Sequence, residues 1–196
     1  MPDIELDRTK TALLIADFYA EQMDSLSHAR DRKVVDKTRD LQRAARDAGI
    51  LVCYSATAFR PGYPEISDRN KTFSQRKQSG QEAVSDPVRL IHRSVRPNPD
   101  EVVVGKHRVN ALFGTDLDMV LRSNGIENLV ILGYATSGVV LSTVRYAADL
   151  DYRLFVVEDC CSDQDAEVHD FLTQRIFPRQ ADVVSSYQVI DALKGR

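Results

Sequence analysis

The sequence TALLIAD, residues 11–17, is a short, continuous apolar run that ends in a carboxylate. A run of this kind is typical of a strand that is buried on both faces, as the strands of parallel sheets are. Its last residue, Asp17, is then expected at the carboxyl end of the strand. In open parallel sheets that edge is where ligands bind.

Similar apolar runs and helical patterns alternate along the rest of the chain. Further strands are predicted at residues 50–56, 101–104, 129–133, 154–157 and 181–184. Helices are predicted at residues 34–48, where apolar side chains recur at helical spacing before Gly49, at 115–125 with Thr115 as cap, from about 137 to 148, and at 163–177. This alternation predicts an α/β fold with three α/β/α layers, a Rossmann-like arrangement around a mainly parallel six-stranded sheet.

Length and composition favour one compact domain spanning residues 1–196. The chain is 43% hydrophobic, which is enough to build a full core at this length. Its net charge of -3 is not concentrated in any block, so we expect no nucleic-acid partner. We find no charged-then-apolar leader and no apolar run of the roughly 20 residues that a membrane span needs, so we expect a cytoplasmic protein with no membrane partner.

Cysteines and histidines do not form a recognisable metal or disulfide pattern. Three cysteines, two of them adjacent, favour reduced thiols: Cys53, Cys160 and Cys161. The four histidines stand apart from one another: His28, His92, His107 and His169. We therefore expect no bound metal and no cofactor.

One segment, residues 58–99, does not fit the alternating pattern. It is long and polar, with RPGYP at 60–64 and RPNP at 96–99. Loops of this length are uncommon in compact domains and are often functional. Two interpretations stay open: an excursion that covers substrate or contacts another subunit, or a solvated insertion without chemistry.

Three features at predicted strand ends have residue types suited to catalysis. Asp17 would lie in partly apolar surroundings that raise a carboxyl pKa and suit proton transfer, although a helix cap or a partner for an arginine is the alternative. Lys106 would follow the third strand, where it can hold an anion or act on a neighbouring acid, or simply be a surface lysine. The turn at residues 136–140 joins a strand to a helix, so its backbone N–H groups can bind an anion or merely be capped.

Together these features resemble the isochorismatase-like hydrolase family over nearly the whole chain. The first family motif, an apolar strand ending in Asp, is matched at residues 13–17, and the second by Lys106 followed by ALFGT at 111–115. The third, Gly-x-x-Thr-x-x-Cys-Val, is matched by Gly133, Thr136 and Val140, but Val139 stands in the place of the cysteine.

The resemblance implies different chemistry in different branches of the family. Amidase-type members use an Asp-Lys-Cys triad, of which only Asp17 and Lys106 carry over. Isochorismatases of siderophore and phenazine pathways use the Asp as an acid on a vinyl ether, with water completing the cleavage. They commonly have Asp-Met-Gln after the first strand, whereas Phe18 and Tyr19 follow Asp17 here, which argues against isochorismate as the substrate. The Asp-x-His metal pattern of nicotinamidase-type members is absent.

We therefore predict a hydrolase acting on a small, anionic organic molecule. The predicted catalytic residues are Asp17 and Lys106, and Val139 occupies the nucleophile's position. The backbone N–H groups of Gly138, Val139 and Val140 are expected to bind an anion or oxyanion. Candidates for lining the substrate pocket are Phe18, Tyr19, Arg60, Arg108 and Tyr134. The alternatives are a catalytically silent member that binds a small ligand, and an amidase with a relocated thiol. By resemblance, we expect a homo-oligomer, a dimer or tetramer.

Overall fold

The computed structural model describes residues 4–195, and the terminal residues of the predicted 1–196 domain lie outside them. Its centre is a six-stranded parallel sheet with helices packed against it. The strands are β1 (Thr11–Ala16), β2 (Leu51–Thr57), β3 (Val102–Lys106), β4 (Asn128–Tyr134), β5 (Arg153–Ser162) and β6 (Asp182–Val184). The predicted α/β fold class is confirmed.

Strand order places β1 at the middle of the sheet. The order is β3-β2-β1-β4-β5-β6, so β1 pairs with β2 on one side and β4 on the other. All residues of β1 are buried, as its continuous apolar sequence predicts. The strands that follow β1 are added first on one side of it (β2, β3) and then on the other (β4 to β6). A crevice at the carboxyl ends of the strands is expected at such a switch point, between β1 and β4.

Eight α-helices accompany the sheet in the described residues. They are α1 (Ala20–Ser25), α2 (Ser27–Asp31), α3 (Val34–Asp47), α4 (Lys71–Gln78), α5 (Leu117–Ser123), α6 (Leu141–Ala148), α7 (Ala166–Phe171) and α8 (Ser186–Lys194). Among residues 4–195, no helix combines the length and the apolar character that crossing a bilayer requires.

Several predicted boundaries need correction. The helix predicted at 163–177 is α7 followed by a wider turn at Leu172–Ile176 and a short 3-10 helix at Phe177–Arg179. The N-cap of α5 is Asp116, although the Thr115 hydroxyl does accept a hydrogen bond from Leu117 N–H at 3.3 Å. Strand β5 extends five residues past its predicted end because a bulge shifts its pairing with β4 between Ile131 and Gly133.

The excursion, residues 58–99, is ordered against the carboxyl edge of the sheet. It contains α4 and a small apolar cluster formed by Phe59, Tyr63 and Ile66. Its far end returns to the segment after β1, where Ile91 forms an antiparallel bridge with Tyr19 and His92 N–H donates to the Phe18 carbonyl at 2.8 Å. The excursion is therefore attached to the strand end that carries Asp17.

Candidate active site

The carboxyl ends of β1, β2 and β3 bring three polar side chains into direct contact. Lys106 Nζ lies 2.6 Å from Asp17 Oδ2 and donates to Thr57 Oγ1 at 2.6 Å. The Thr57 hydroxyl in turn donates to Asp17 Oδ2 at 3.2 Å. The contact follows from the sheet, because Thr57 and Lys106 are paired in register and β2 lies between β3 and β1.

Asp17 reaches this position because the backbone turns sharply after β1. Its φ of 49° lies in the left-handed region, which Asp tolerates better than most residues. The Asp17 N–H still donates to the Ser55 carbonyl on β2 at 2.8 Å, and its own carbonyl accepts from Tyr19 N–H at 2.9 Å. The carboxylate is thus fixed at the end of the strand by backbone hydrogen bonds on both sides.

Burial brings the two ionisable groups closer in proton affinity. Asp17 is 6% exposed and Lys106 1% exposed. Burial raises the pKa of the Asp17 carboxyl, against the opposing effect of the Lys106 charge and of hydrogen bonds from Lys106, Tyr19 and Thr57. Burial likewise lowers the pKa of the Lys106 ammonium. The free-energy cost of moving a proton between these two groups is therefore smaller than for the same groups in water.

Lys106 has no free donor for a substrate anion. An ammonium group has three N–H donors, and here they meet Asp17, the Thr57 hydroxyl and the Arg108 carbonyl, the last at 3.0 Å. The expected anion-holding use of this lysine therefore does not match the geometry. Its contacts suit it to hold and polarise Asp17.

Tyr19 is the pocket candidate that lies beside Asp17. Its hydroxyl accepts a hydrogen bond from Thr57 N–H at 2.9 Å. Burial, followed by the nearby Asp17 charge, raises the pKa of the Tyr19 phenol well above its ordinary value. The phenol therefore keeps its proton across the physiological range and can act as a donor at the site.

In the turn after β4, the backbone N–H groups of Ser137, Gly138 and Val140 donate to acceptors of the same chain. The N–H groups of Gly138 and Val140 both donate to the Ala135 carbonyl, at 3.0 and 3.3 Å. Ser137 N–H donates to Asp163 Oδ2 at 2.6 Å. Of the three predicted anion donors, Gly138 and Val140 already donate to the Ala135 carbonyl, so the expectation of free N–H groups is corrected for these two, and the role of the Val139 N–H stays a prediction.

Val139, at the position that the motif assigns to a thiol, lies in the hydrophobic core. Its side chain is 2% exposed and packs in the main apolar cluster. Behind it, the Thr136 hydroxyl lies 2.8 Å from His169 Nδ1 and donates to the Ser162 carbonyl at 3.1 Å. Buried polar groups of this kind fix the shape of the turn.

The other pocket candidates are separated from Asp17 or only partly accessible. Phe18 is a core residue, 1% exposed, with its ring against His92 at a centroid distance of 6.2 Å. The Arg60 side chain is 67% exposed and ion-paired with Glu65. Arg108 donates to the His107 and Glu65 carbonyls. Tyr134 is half-buried, and its phenol pKa is raised by burial and then by Asp163.

A small cavity lies directly beside the three-residue contact. Its volume is about 280 Å³, and its wall is formed by Tyr19, Ala20, Glu21, Gln22, Thr57, Arg76, Arg89 and Leu90. Two of these residues, Tyr19 and Thr57, interact with the Asp17 carboxylate. Larger cavities of about 620, 530 and 490 Å³ contain none of Asp17, Thr57 and Lys106, although Arg108 lines the last, so the smaller one is the candidate substrate site.

Sequence reasoning missed Thr57 and both arginines of the cavity wall. The second strand is predicted to end at residue 56, whereas β2 ends at Thr57. Thr57 therefore did not stand out as a polar residue at a strand end, as Asp17 and Lys106 do. Arg76 and Arg89 lie inside the excursion, where no periodic pattern or motif marks individual residues.

The three thiols lie away from any accessible position. All are buried. Burial raises the pKa of Cys53 and of Cys161 to about 12, and that of Cys160 well above its ordinary value. A thiol is nucleophilic as the thiolate, so none of the three is placed or ionised to attack a substrate. Among residues 4–195, no group of three or more His, Cys, Asp or Glu side chains is arranged to hold a metal ion.

Comparison with known proteins gives a consistent set of matches. A family model described as "Isochorismatase domain" matches residues 11–188. Maleamate amidohydrolase of Pseudomonas putida is 26% identical over 188 residues, covering 94% of this chain and 87% of that protein.

Two solved structures resemble both the fold and the sequence. An isochorismatase family protein of Burkholderia thailandensis superposes with a TM-score of 0.83 at 28% identity, covering 98% of this chain and 100% of that one. N-carbamoylsarcosine amidase of Thermoplasma acidophilum has a TM-score of 0.70 at 28% identity, covering 90% of this chain and 96% of that one.

Proposed function

The chain belongs to the isochorismatase family and is a hydrolase of that family, and from this premise we propose that it hydrolyses a C–O or C–N bond of a small anionic molecule without a thiol nucleophile. Asp17 is the acid and base of the reaction, and Lys106 assists it. The observation that carries the proposal is the buried contact of 2.6 Å between Lys106 Nζ and Asp17 Oδ2, next to Thr57 and Tyr19, which line a small cavity. No cofactor enters the scheme.

Water is the nucleophile in this proposal, because Val139 occupies the place of the thiol and the native thiols are buried. For an amide, Asp17 takes a proton from the attacking water as the new C–O bond forms. It then returns that proton to the leaving nitrogen, which departs with the electrons of the C–N bond. For a vinyl ether, Asp17 protonates the alkene carbon, and water adds to the oxocarbenium carbon and returns one proton to Asp17. The hemiketal then breaks its C–O bond as its hydroxyl proton moves to the oxygen of the departing alcohol, leaving a ketone.

Lys106 and Thr57 set the state of Asp17 in both schemes. The ammonium stabilises Asp17 in its carboxylate form, which precedes attack of water on an amide and follows protonation of a vinyl ether, while burial raises the pKa of the Asp17 carboxyl. The Thr57 hydroxyl accepts a hydrogen bond from Lys106 and donates one to Asp17, so it fixes the two side chains relative to each other. The Tyr19 phenol adds a donor at the same wall.

A second candidate function is that of a catalytically silent member that binds a small ligand. The burial of Val139 in the apolar core favours it, because the turn then contributes no reacting group. The two functions share the cavity and differ only in turnover. Binding of a small molecule without product, at enzyme concentrations comparable to the substrate, would select the silent member.

The deciding experiment is a screen of small carboxylate-bearing amides and enol ethers, followed by substitution of Asp17. We expect Asp17→Asn to lower turnover by about 10²–10⁴, the usual contribution of a positioned acid or base. Asp36→Asn is the matched control, because Asp36 is an exposed carboxylate paired with Arg39 on the surface. Turnover that survives Asp17→Asn at the wild-type rate would refute the role of Asp17.

Assembly and location stay predictions. We propose a homo-oligomer, a dimer or tetramer, and a cytoplasmic protein with small-molecule rather than nucleic-acid or membrane partners. Exposed aromatic side chains at Phe113 and Tyr146, whose rings contact each other at 6.4 Å, supply an apolar surface for such assembly. Sedimentation equilibrium gives the mass directly, and a monomer at all concentrations would refute assembly.

A further inference from the structure

We propose that Arg76 and Arg89 of the excursion bind a carboxylate of the substrate, so that its scissile bond lies against Tyr19, Thr57 and Asp17. The inference rests on the proposed function for the identity of the reacting end, but the binding step it describes is measurable without turnover. Both arginines line the cavity that contains Tyr19 and Thr57. The excursion then supplies specificity, and the strand ends supply the chemistry.

Lys106, Gly138 and Val140, which were first considered for anion binding, already donate within the chain. Lys106 directs its three donors to Asp17, Thr57 and the Arg108 carbonyl. The turn after β4 directs the N–H groups of Gly138 and Val140 to a carbonyl of the same turn. A substrate anion at this cavity therefore needs other donors, and the cavity wall offers two guanidinium groups.

Arg76 is held beside the cavity with donors to spare. Its guanidinium carbon lies 5.6 Å from the centre of the Phe59 ring, which is itself buried in the excursion's apolar cluster. Its Nε is buried and has no hydrogen-bond partner in the described chain. A buried donor without an acceptor is unfavourable by roughly 1–3 kcal/mol, and a bound anion would relieve that cost.

Arg89 is placed by the return of the excursion to the sheet. The Ile91–Tyr19 bridge and the hydrogen bond from His92 N–H to the Phe18 carbonyl fix the chain just after Arg89. In the part of the chain that the structure describes, neither Arg76 nor Arg89 forms an ion pair with a carboxylate. Two unpaired guanidinium groups thus face the same cavity from different parts of the excursion.

The charge and size of the cavity define the ligand class. Glu21 also lines the wall, so two cations and one anion leave a single positive charge in excess. That balance fits a monocarboxylate better than a phosphate dianion, and guanidinium groups match the planar carboxylate through paired N–H donors. The volume of about 280 Å³ lies at the lower limit of ligand pockets, which admits a short-chain acid and excludes a polymer.

Succinamate, which carries one carboxylate and one amide, is the probe, and neutral succinamide is its uncharged counterpart. Isothermal titration is done with the full chain carrying Asp17→Asn, so that no turnover interferes. We expect succinamate to bind more tightly than succinamide. Arg76→Gln and Arg89→Gln, each added to that background, are expected to weaken succinamate binding about tenfold or more, the loss of a charge-assisted hydrogen bond.

Arg69→Gln is the matched control, because Arg69 is an exposed arginine of the same excursion that does not line the cavity. Arg76→Lys tests whether charge alone suffices, and thermal unfolding of each variant separates loss of binding from loss of folding. Unchanged succinamate affinity in folded Arg76→Gln and Arg89→Gln would overturn the proposal. So would equal loss in Arg69→Gln, no binding to the Asp17→Asn protein at high millimolar succinamate, or stronger binding of inorganic phosphate than of succinamate.

These outcomes are independent of catalysis. If the arginine variants lose succinamate binding while no substrate is ever turned over, the carboxylate site stands and the silent function is selected. If a substrate is found and the arginine variants raise its KM with little change in kcat, both proposals stand together.

Discussion

The carboxyl ends of β1–β3 and the turn after β4 lie at the same edge of the sheet, but their polar groups have different kinds of partner. At the first, Asp17 and Lys106 are buried ions in mutual contact, and their hydrogen-bond partner Thr57 lines a cavity. At the second, Ser137, Gly138 and Val140 donate their N–H groups to acceptors of the same chain, and Val139 joins the core. This difference is the reason why we propose the reaction at the first region and a structural role for the second.

The comparison also changes the meaning of the valine at the motif position. A motif match alone suggests an active site from which one part is missing. In this chain the N–H groups of Gly138 and Val140, the Thr136 hydroxyl and the Val139 side chain all contact groups of the same chain. These contacts favour a structural role for the turn.

Lys106→Met tests the first region and is expected to have the largest effect on stability. Removing the ammonium leaves Asp17 buried without its counter-charge, which typically costs about 3–5 kcal/mol. Burial already raises the pKa of the Asp17 carboxyl, and loss of Lys106 raises it further. A carboxyl with a raised folded-state pKa binds protons more strongly when folded, so the stability deficit grows as the pH rises from the unfolded-state pKa through the folded-state one.

Urea unfolding of Lys106→Met and wild type between acid and neutral pH measures that deficit. The double variant Asp17→Asn/Lys106→Met is the control, because it removes both charges and is expected to recover part of the loss with a weaker pH dependence than the single variant. A deficit that is the same at all pH values, or no recovery in the double variant, would contradict the buried ion pair.

Gly133→Ala tests the junction between the two regions. Gly133 has a φ of 146°, and a Cβ at this position would lie 1.9 Å from the Ala16 carbonyl oxygen on β1. Neither backbone can yield without breaking the β1–β4 pairing, so we expect a loss of about 3 kcal/mol or more in the free energy of unfolding. Disruption there displaces Asp17 as well, and turnover is expected to fall with stability.

Gly105→Ala is the comparison variant for that measurement. It lies on β3 next to Lys106, and its added Cβ would meet its nearest neighbour, Ala58 Cβ, at an ordinary 3.6 Å. Chemical denaturation should show a loss near zero for Gly105→Ala and a large one for Gly133→Ala. Equal losses would mean that the close approach of β4 to β1 is not what holds the two regions together.

The two regions also differ in how far the sequence predicted them. Asp17 and Lys106 were identified because continuous apolar runs mark buried strands, and parallel strands end at one edge. The internal satisfaction of the turn was not predictable, because Asp163 reaches Ser137 from the end of β5, after a bulge that lengthens that strand. Such contacts depend on strand order and register, which one sequence does not specify.

Some helices were missed for reasons that differ from one to the next. Helix α8 begins with a capping box at Ser185 and Gln188, a local sequence signal sufficient to predict its start. Helix α4 buries only Ser74, so its sequence shows no apolar face, and tertiary contacts rather than periodicity define it. Arg76 was missed with it, since no local pattern distinguishes that arginine from its solvated neighbours.

Val139→Cys tests the second region and is expected to have the smallest effect. The replacement removes about one methyl group's volume from a buried position, so the free energy of unfolding should fall by about 0.5–1.5 kcal/mol. The introduced thiol would lie where the side chain is 2% exposed, beside N–H groups already bound to the Ala135 carbonyl. We therefore expect no amide hydrolysis and slow alkylation by iodoacetamide, like that of the three buried native thiols.

Mass spectrometry of the alkylated native protein resolves the introduced thiol from Cys53, Cys160 and Cys161, which serve as internal controls in the same sample. Rapid and selective alkylation, or hydrolysis of succinamate that is lost again on adding Asp17→Asn, would show that the turn retains the geometry of a nucleophile site. The proposal that the turn after β4 has only a structural role would then be refuted. Slow alkylation at all four positions supports it, because a thiol in a turn whose donors are already used is neither exposed nor stabilised as the thiolate.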